Sequence, residues 1–148
     1  MKTALVDANV ILRFITKDPP KMADAARNLF KQAEAGEIGL IILTITVAEV
    51  VWVLESFYNY PKIQVAETFG AFLRCDGLQV EQANLIQEAL SLYQKSNLDF
   101  ADALIASTAL RKGPLSVYSF DRHFDRVAGI ERLEPLTPKP GGRAESER

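Results

Sequence analysis

The sequence predicts an α/β fold in which helices cover both faces of a mostly parallel sheet. One observation and one rule of chain topology lead to this prediction. Short apolar runs of strand length alternate along the chain with longer segments whose apolar residues recur at helical spacing. Strands that are separated by helices are joined by crossover connections, and a crossover makes consecutive strands run parallel.

Each predicted element has a local reason. The first strand is stopped by Asp7, and the continuous apolar run at residues 40–45 is typical of a strand covered on both faces. A helical apolar stripe at residues 22–35 ends at Gly36, a common helix stop. The predicted strands are residues 3–6, 40–45, 78–80, 115–118 and 131–133. The predicted helices are residues 22–35, 47–58, 61–75, 81–94 and 100–111.

Length and composition limit the class of protein. The 148 residues suffice for one domain with a core of ordinary size, predicted here as residues 1–136. Residues 137–148, rich in Pro, Gly and charge, are predicted to form a disordered tail. The single cysteine, Cys75, excludes an intrachain disulfide and agrees with a reducing cytoplasm. Asp7 interrupts the first apolar stretch and no apolar run approaches the ~20 residues of a membrane span, so neither a signal peptide nor a membrane partner is expected.

The charge balance does not indicate a simple nucleic-acid binder. The chain has 17 Lys and Arg against 19 Asp and Glu, a formal net charge of −2. Domains that bind nucleic acid through charge alone usually carry a clear basic excess. A phosphate-bearing substrate would therefore need local basic residues or a metal ion.

Acidic residues stand where the predicted strands end. Asp7 directly follows the first strand, Glu49 lies four residues after the second, and Asp121 lies three residues after the strand at 115–118. Asp99 and Asp102 open the helix that precedes that strand. Open parallel sheets bind ligands beyond the carboxyl ends of their strands. Because its neighbours are apolar, Glu49 is predicted to be mostly buried, where an unpaired carboxylate is costly.

Helix capping is an alternative explanation for each acid taken alone. Asp is a preferred cap residue that contributes about 1 kcal/mol. Asp99 and Asp102 are spaced as in a capping box, and Asp121 could cap a short turn at residues 122–124.

Taken together, the five acids indicate a metal site. They would repel one another unless a cation lay among them, and oxygen ligands without a His or Cys cluster suit Mg²⁺ or Mn²⁺. Setting the five aside leaves 14 acidic against 17 basic residues, a net charge of +3, so the metal-loaded chain can accept phosphate.

Polar, basic and aromatic side chains supplement this acidic set. Asn9 and Ser119 are placed to hydrogen-bond a ligating carboxylate or a water, although turn preference explains them equally well. Thr44 and Thr46 are attributed to the strand propensity of threonine. The candidate RNA contacts, which solvated surface charge explains at least as well, are Arg13, Lys17, Arg122 and Arg126. Candidates for base stacking or a dimer face are Trp52, Phe57 and Tyr58, with the position of Trp52 more typical of a core residue.

Four segments together resemble the PIN-domain ribonucleases, and among them the VapC-type toxins of prokaryotic toxin–antitoxin pairs. The likeness extends to about residue 136. The segments are Asp7-Ala8-Asn9, Thr46 with Glu49, FADALIAS at residues 100–107 and SFDRHF at residues 119–124.

The resemblance implies a fold, an activity and partners. The fold would be an α/β/α sandwich with a five-stranded parallel sheet. The activity would be that of a Mg²⁺- or Mn²⁺-dependent endoribonuclease that hydrolyses RNA with a metal-activated water. The resemblance also implies a homodimer and an antitoxin protein that silences the enzyme through the acidic pocket. By matching position the acidic quartet would be Asp7, Glu49, Asp102 and Asp121, with Asp99 as a further acid and with Asn9 and Ser119 as polar helpers.

Two alternatives remain open. One is a PIN-like module that binds RNA or a partner protein without catalysis. The other is a Mg²⁺-dependent phosphatase, although the haloacid-dehalogenase type has a second Asp where Asn9 stands. Catalysis by a histidine pair is excluded because His123 is the only histidine, and we interpret it as a surface turn residue.

Overall fold

Five short strands alternate with six helices in the computed structural model, which describes residues 2–113, 115–136 and 138. The predicted alternation is confirmed, and two strands, β3 and β5, have the predicted bounds. The strands are β1 (Lys2–Leu5), β2 (Ile38–Ile42), β3 (Leu78–Val80), β4 (Ser116–Tyr118) and β5 (Glu131–Leu133). The helices are α1 (Ala8–Thr16), α2 (Pro20–Glu34), α3 (Thr44–Ser56), α4 (Lys62–Leu73), α5 (Ala83–Lys95) and α6 (Phe100–Lys112). A 3₁₀ turn, Arg122–Arg126, lies between β4 and β5.

All of these strand pairs are parallel, but within the described residues they form two sheets instead of the expected single sheet. β1 pairs with β2, with Leu5 opposite Ile41, and β2 pairs with β3. β4 pairs with β5 in a separate two-stranded sheet. β4 and β5 have three residues each, so each strand offers few backbone groups for pairing with the larger sheet.

Helix α1 follows β1 directly and is not among the elements predicted from the sequence. It buries Ala8, Ile11 and Leu12, the spacing of a helix packed on a core. β-Branched residues such as Val10 and Ile11 have only modest helix propensity, so the local signal is weak and packing decides. Because of α1, Asp7 stands between a strand end and a helix start.

Helix α3 begins inside the segment predicted as the second strand. Thr44 donates its backbone N–H to Oε1 of Glu81 at 2.8 Å and its hydroxyl to Oε1 of Gln82 at 2.9 Å. The bond to Glu81 satisfies a helix-start N–H that would otherwise have no partner. Thr44 and Thr46 therefore lie in a helix, and their attribution to strand propensity is wrong.

The core is apolar and includes packed aromatic rings from three helices. The ring centroids of Phe14 and Phe30 are 5.0 Å apart, and those of Phe30 and Phe72 are 4.9 Å apart, both pairs in edge-on geometry. Such pairs add about 0.5–1.5 kcal/mol beyond their burial and here join α1, α2 and α4. Ser107 on α6 is 1% exposed, and its Oγ has no hydrogen-bond partner among the described residues.

Two sequence predictions concern membrane spans and the tail. None of the helices in residues 2–113, 115–136 and 138 has both the length and the apolar character needed to cross a bilayer. The predicted tail at residues 137–148 lies, apart from Pro138, outside the described residues.

Candidate active site

Asp7 and Asn9 lie where β1 gives way to α1. Asp7 occupies the cap position of α1 with extended backbone angles (φ −81°, ψ 152°), but its side chain makes no capping hydrogen bond. The Asp7 and Asn9 side chains are both exposed. Capping therefore does not account for the Asp7 carboxylate, which remains accessible to a ligand.

Glu49 is exposed, so the prediction that it is mostly buried is wrong. Helix α3 turns its apolar stripe (Val47, Val50, Val51 and Leu54) into the core and presents Glu49 on the opposite face. Trp52 lies on that outer face as well and is 67% exposed, so it is not a core residue. The Glu49 carboxylate thus avoids the cost of burial.

Asp99 and Asp102 open α6, as predicted. Asp99 occupies the cap position and Asp102 lies in the first turn, but the Asp99 side chain makes no capping hydrogen bond. The capping-box interpretation of this pair is therefore not supported. Asp102 is half-buried because its neighbours Phe100 and Ala103 face the core.

Asp121 caps the 3₁₀ turn, which confirms that part of the capping prediction. Its Oδ1 accepts the backbone N–H of His123 at 2.8 Å and lies 3.0 Å from Nδ1 of the same residue. The Asp121 backbone N–H is donated to Oγ of Ser119 at 2.9 Å. Ser119 therefore supports the main chain of Asp121 and does not contact its carboxylate.

Two of the predicted acids, Asp99 and Asp121, lie within electrostatic reach of a third, Asp102. Partial burial raises the pKa of Asp102, and the negative charges of Asp121 and then Asp99 raise it further. His123 acts in the opposite direction. This group of Asp99, Asp102 and Asp121 is called the acidic cluster below.

The donor chemistry of the acidic cluster fits a hard cation, because Mg²⁺ and Mn²⁺ prefer carboxylate oxygens. Helix α3, which carries Glu49, packs against both α1 and α6, and so against the helices next to Asp7 and Asp102. Within the described part of the chain, no three Asp, Glu, His or Cys side chains stand close enough together to hold a metal ion. A cation held by three of these side chains at once would require them to draw closer, whereas Mg²⁺ is commonly held by one or two carboxylates together with water.

The predicted RNA contacts differ in how free their side chains are. Lys17 and Arg122 are exposed, whereas Arg13 is half-buried beside Asn9 in a groove between α1 and α2. Arg126 donates from Nη1 to the backbone carbonyl of Asn97 at 2.6 Å. Part of the Arg126 guanidinium is therefore engaged within the protein.

Arg132 supports the site and is not among the residues predicted from the sequence. Its side chain is 10% exposed and donates from Nη1 to the carbonyl of Ser119 at 2.9 Å. It also forms ion pairs with Asp125 and Glu134. The sequence does show an arginine inside a predicted strand with acidic residues beside it. This pattern indicates that the arginine forms an ion pair, but it does not show that Arg132 lies next to the site.

The fold and the site define the class: a parallel α/β protein with acidic side chains after its strands and at a helix start. Residues 4–130 match the family model described as "PIN: PIN domain". The chain belongs to the PIN-domain family, and the resemblance found in the sequence is confirmed.

Two known proteins show how far the similarity extends. A "VapC ribonuclease" of Aquifex aeolicus (strain VF5) is 28% identical over 131 residues, which cover 88% of this chain and 96% of that protein. The "Crystal structure of VapBC2 from Rickettsia felis bound to a DNA fragment from their promoter" includes a chain that is 19% identical to this one, with a TM-score of 0.36. That match covers 90% of this chain and 98% of the other.

Proposed function

We propose that the protein is a VapC-type toxin, an endoribonuclease of a type II toxin–antitoxin pair that acts in the cytoplasm with Mg²⁺ or Mn²⁺. Membership in the PIN-domain family and the similarity to a VapC ribonuclease support this function. The observation that carries the catalytic part is the acidic cluster. Partial burial raises the pKa of Asp102, the nearby charges of Asp121 and Asp99 raise it further, and His123 acts in the opposite direction.

Five acids of this chain would hold the cation: Asp7, Glu49, Asp99, Asp102 and Asp121. When bound, the cation supplies the Lewis acidity that activates water and stabilises charge on the departing oxygen of a phosphodiester. A cation among the carboxylates also relieves the repulsion that Asp102 experiences. Ser119 and His123 hold the main chain and carboxylate of Asp121 in place, while Asn9 stands beside Asp7 as a polar helper.

Basic residues near the acids would contact the RNA backbone. Lys17 follows α1, and Arg122 follows Asp121 directly. Both are exposed, so each can neutralise a phosphate without losing an internal bond among the described residues. Arg13, beside Asn9, is the third candidate.

The exposed apolar side chains of α3 and its C-terminal end are the proposed homodimer contact, which leaves Glu49 to the acidic site. Ile45 is 75% exposed and Trp52 is 67% exposed, and Phe57 at the end of the helix is 73% exposed. Exposed apolar side chains of this size are typical of interfaces. An antitoxin is the second proposed partner, with a basic side chain that neutralises the acidic cluster.

A binding module without catalysis is the second candidate function. It is favoured by one observation: no three metal-ligating side chains in the described residues are already close enough to share an ion. Such a module would bind RNA or protein through the same fold and would have no requirement for a divalent cation.

A cleavage assay separates the two candidates. The purified chain is incubated with defined RNAs in Mg²⁺ or Mn²⁺, then with excess chelator, then with the metal restored. We expect internal cuts that disappear with chelator and return with metal. RNA binding without cutting in any of these conditions would favour the module, and cutting that survives chelation would overturn the metal-dependent mechanism.

A further inference from the structure

The loop at residues 96–99, between α5 and α6, determines where two acids of the cluster stand. The chain turns at Asn97, whose φ of 52° lies in the left-handed region, and Leu98 is fully buried. Asp99 then begins α6, with Asp102 in its first turn. A shift of this loop would therefore move both carboxylates.

Two cationic side chains hold consecutive carbonyl groups of this loop. Lys62, the first residue of α4, donates from Nζ to the carbonyl of Leu98 at 3.0 Å. Arg126 donates from Nη1 to the carbonyl of Asn97 at 2.6 Å. Both bonds are charge-assisted, and such bonds are stronger than those between neutral groups.

Lys62 is fixed by its surroundings and does not behave as a free surface lysine. Its Nζ lies 4.0 Å from the centroid of the Tyr93 ring, a cation–π contact, and 3.7 Å from Oε2 of Glu55. The Tyr93 hydroxyl in turn donates to Oε1 of Glu55 at 2.7 Å. Tyr93 is fully buried, so this set of contacts anchors the lysine and hence the carbonyl of Leu98.

Arg126 connects the two segments that bear the cluster. It ends the 3₁₀ turn whose cap is Asp121, and its bond to Asn97 reaches the loop that leads to Asp99. Asp121 stands on one of these segments and Asp99 and Asp102 stand on the other, and carboxylates of like charge repel one another. A link between the segments opposes their separation.

We propose that Lys62 and Arg126 are positioning residues of the acidic site. Through two adjacent carbonyls they set the separation of Asp121 from Asp99 and Asp102, and thereby the affinity for a divalent cation. This inference rests on the proposed function. It assigns Arg126 to the loop in place of the RNA.

The test is a calorimetric titration of the full chain with Mn²⁺ alone, which gives the Mn²⁺ dissociation constant. Lys62→Met and Arg126→Met should each raise the Mn²⁺ dissociation constant by about tenfold or more, the usual effect of losing support behind metal ligands. The control is Arg74→Met, which removes an arginine bond of similar length (3.0 Å, to Oε1 of Gln87) away from the cluster. Its dissociation constant should match that of the unaltered chain.

Further readouts separate positioning from general structural damage. Lys62→Arg keeps a cationic donor and should restore most of the Mn²⁺ affinity. Circular dichroism shows whether Lys62→Met folds. If it does not fold, the Mn²⁺ dissociation constant of Arg126→Met decides the outcome, because Arg126 is exposed and its replacement disturbs the core less. In RNA cleavage, Arg126→Met should raise the Mg²⁺ concentration that gives half-maximal rate while leaving KM for RNA at saturating Mg²⁺ unchanged.

The inference and the proposed function fail in different ways. Folded variants with an unchanged Mn²⁺ dissociation constant overturn the inference, while a chain that still cuts RNA with metal keeps the proposed function. A raised KM with a flattened salt dependence, at unchanged Mn²⁺ affinity, would return Arg126 to the RNA contacts. An unaltered chain that neither binds Mn²⁺ nor cuts RNA would overturn both.

Discussion

Asp121 and His123 are joined twice, because Oδ1 of Asp121 accepts the His123 backbone N–H at 2.8 Å and lies 3.0 Å from its Nδ1. The same carboxylate belongs to the acidic cluster. Capping engages Oδ1 and leaves Oδ2 outside these two contacts. The capping and ligand interpretations are therefore compatible at this residue, although the sequence presents them as alternatives.

Asp102→Asn should abolish metal-dependent RNA cleavage and leave the fold intact. The amide removes a negative charge from a crowded group and keeps the shape of the side chain. We expect the free energy of unfolding at pH 7 to change by less than about 1 kcal/mol, with any change towards greater stability. Urea denaturation measures the stability, and Asp24→Asn on the exposed side of α2 is the control that should keep full activity.

The same variant carries a pH signature. Folding raises the pKa of Asp102, so the native state binds more protons than the unfolded state between the two pKa values. This contribution makes stability fall as pH rises through that interval, just above the ordinary aspartate pKa. In Asp102→Asn, the free energy of unfolding should no longer show this part of its decrease with rising pH. A variant whose stability profile parallels that of the unaltered chain throughout the interval would contradict the prediction.

Ser107→Ala should stabilise the protein. The buried hydroxyl of Ser107 has no partner in the described residues, so its removal relieves an unsatisfied polar group. We expect a gain of roughly 0.5–1 kcal/mol in the free energy of unfolding by urea denaturation. The neighbouring control is Thr108→Val, which deletes a hydroxyl bonded to the Leu104 carbonyl at 2.7 Å and should not be stabilising. A loss above about 1 kcal/mol on Ser107→Ala would count against this account.

Arg122→Ala should weaken RNA binding and flatten its dependence on salt. One phosphate contact on single-stranded RNA contributes about 0.7 to the slope of log K against log salt concentration. Binding is measured across a salt series with the cleavage-deficient Asp102→Asn background. Lys95→Ala, at the exposed end of α5, is the control with an unchanged slope. An unchanged slope for Arg122→Ala would remove this residue from the RNA contacts.

Trp52→Glu should dissociate the proposed homodimer. A charge placed at the centre of an apolar contact loses the burial of the indole and adds a desolvation cost. Analytical ultracentrifugation should show at least a tenfold weaker dimer. Met22→Glu on α2, where Met22 is 56% exposed, is the matched control and should dimerise normally. If Met22→Glu dissociates the dimer and Trp52→Glu does not, the contact lies on a different face.

The local sequence pattern was sufficient to predict the elements whose ends are set by neighbouring turn or cap residues. β3 directly follows the turn residue Gly77, β5 begins two residues after Gly129, and α6 begins at its acidic start as predicted. The acidic cluster was predictable for a similar reason. The strand-end rule places Asp121 and the start of α6 at one edge before any distance is known.

The errors arise where distant residues decide local structure. The end of β2 depends on Glu81, which binds Thr44 across the sheet and starts α3 early. The prediction that Glu49 is buried was wrong because it relied on the apolar character of the whole α3 segment. Only the orientation of the helix in the fold shows which of its faces points into the core. The bonds from Lys62 and Arg126 to one loop could not be predicted from sequence spacing, because they join residues 36 and 29 positions apart.

The bond between Thr44 and Glu81 also cannot form until well after Thr44 has been added to the growing chain. The ribosome makes Thr44 thirty-seven residues before Glu81, a delay of roughly two to seven seconds at ordinary elongation rates. Throughout that delay the nascent chain relies on water to satisfy the first N–H of α3. The helix that carries Glu49 thus acquires its final boundary only after the third strand has left the ribosome.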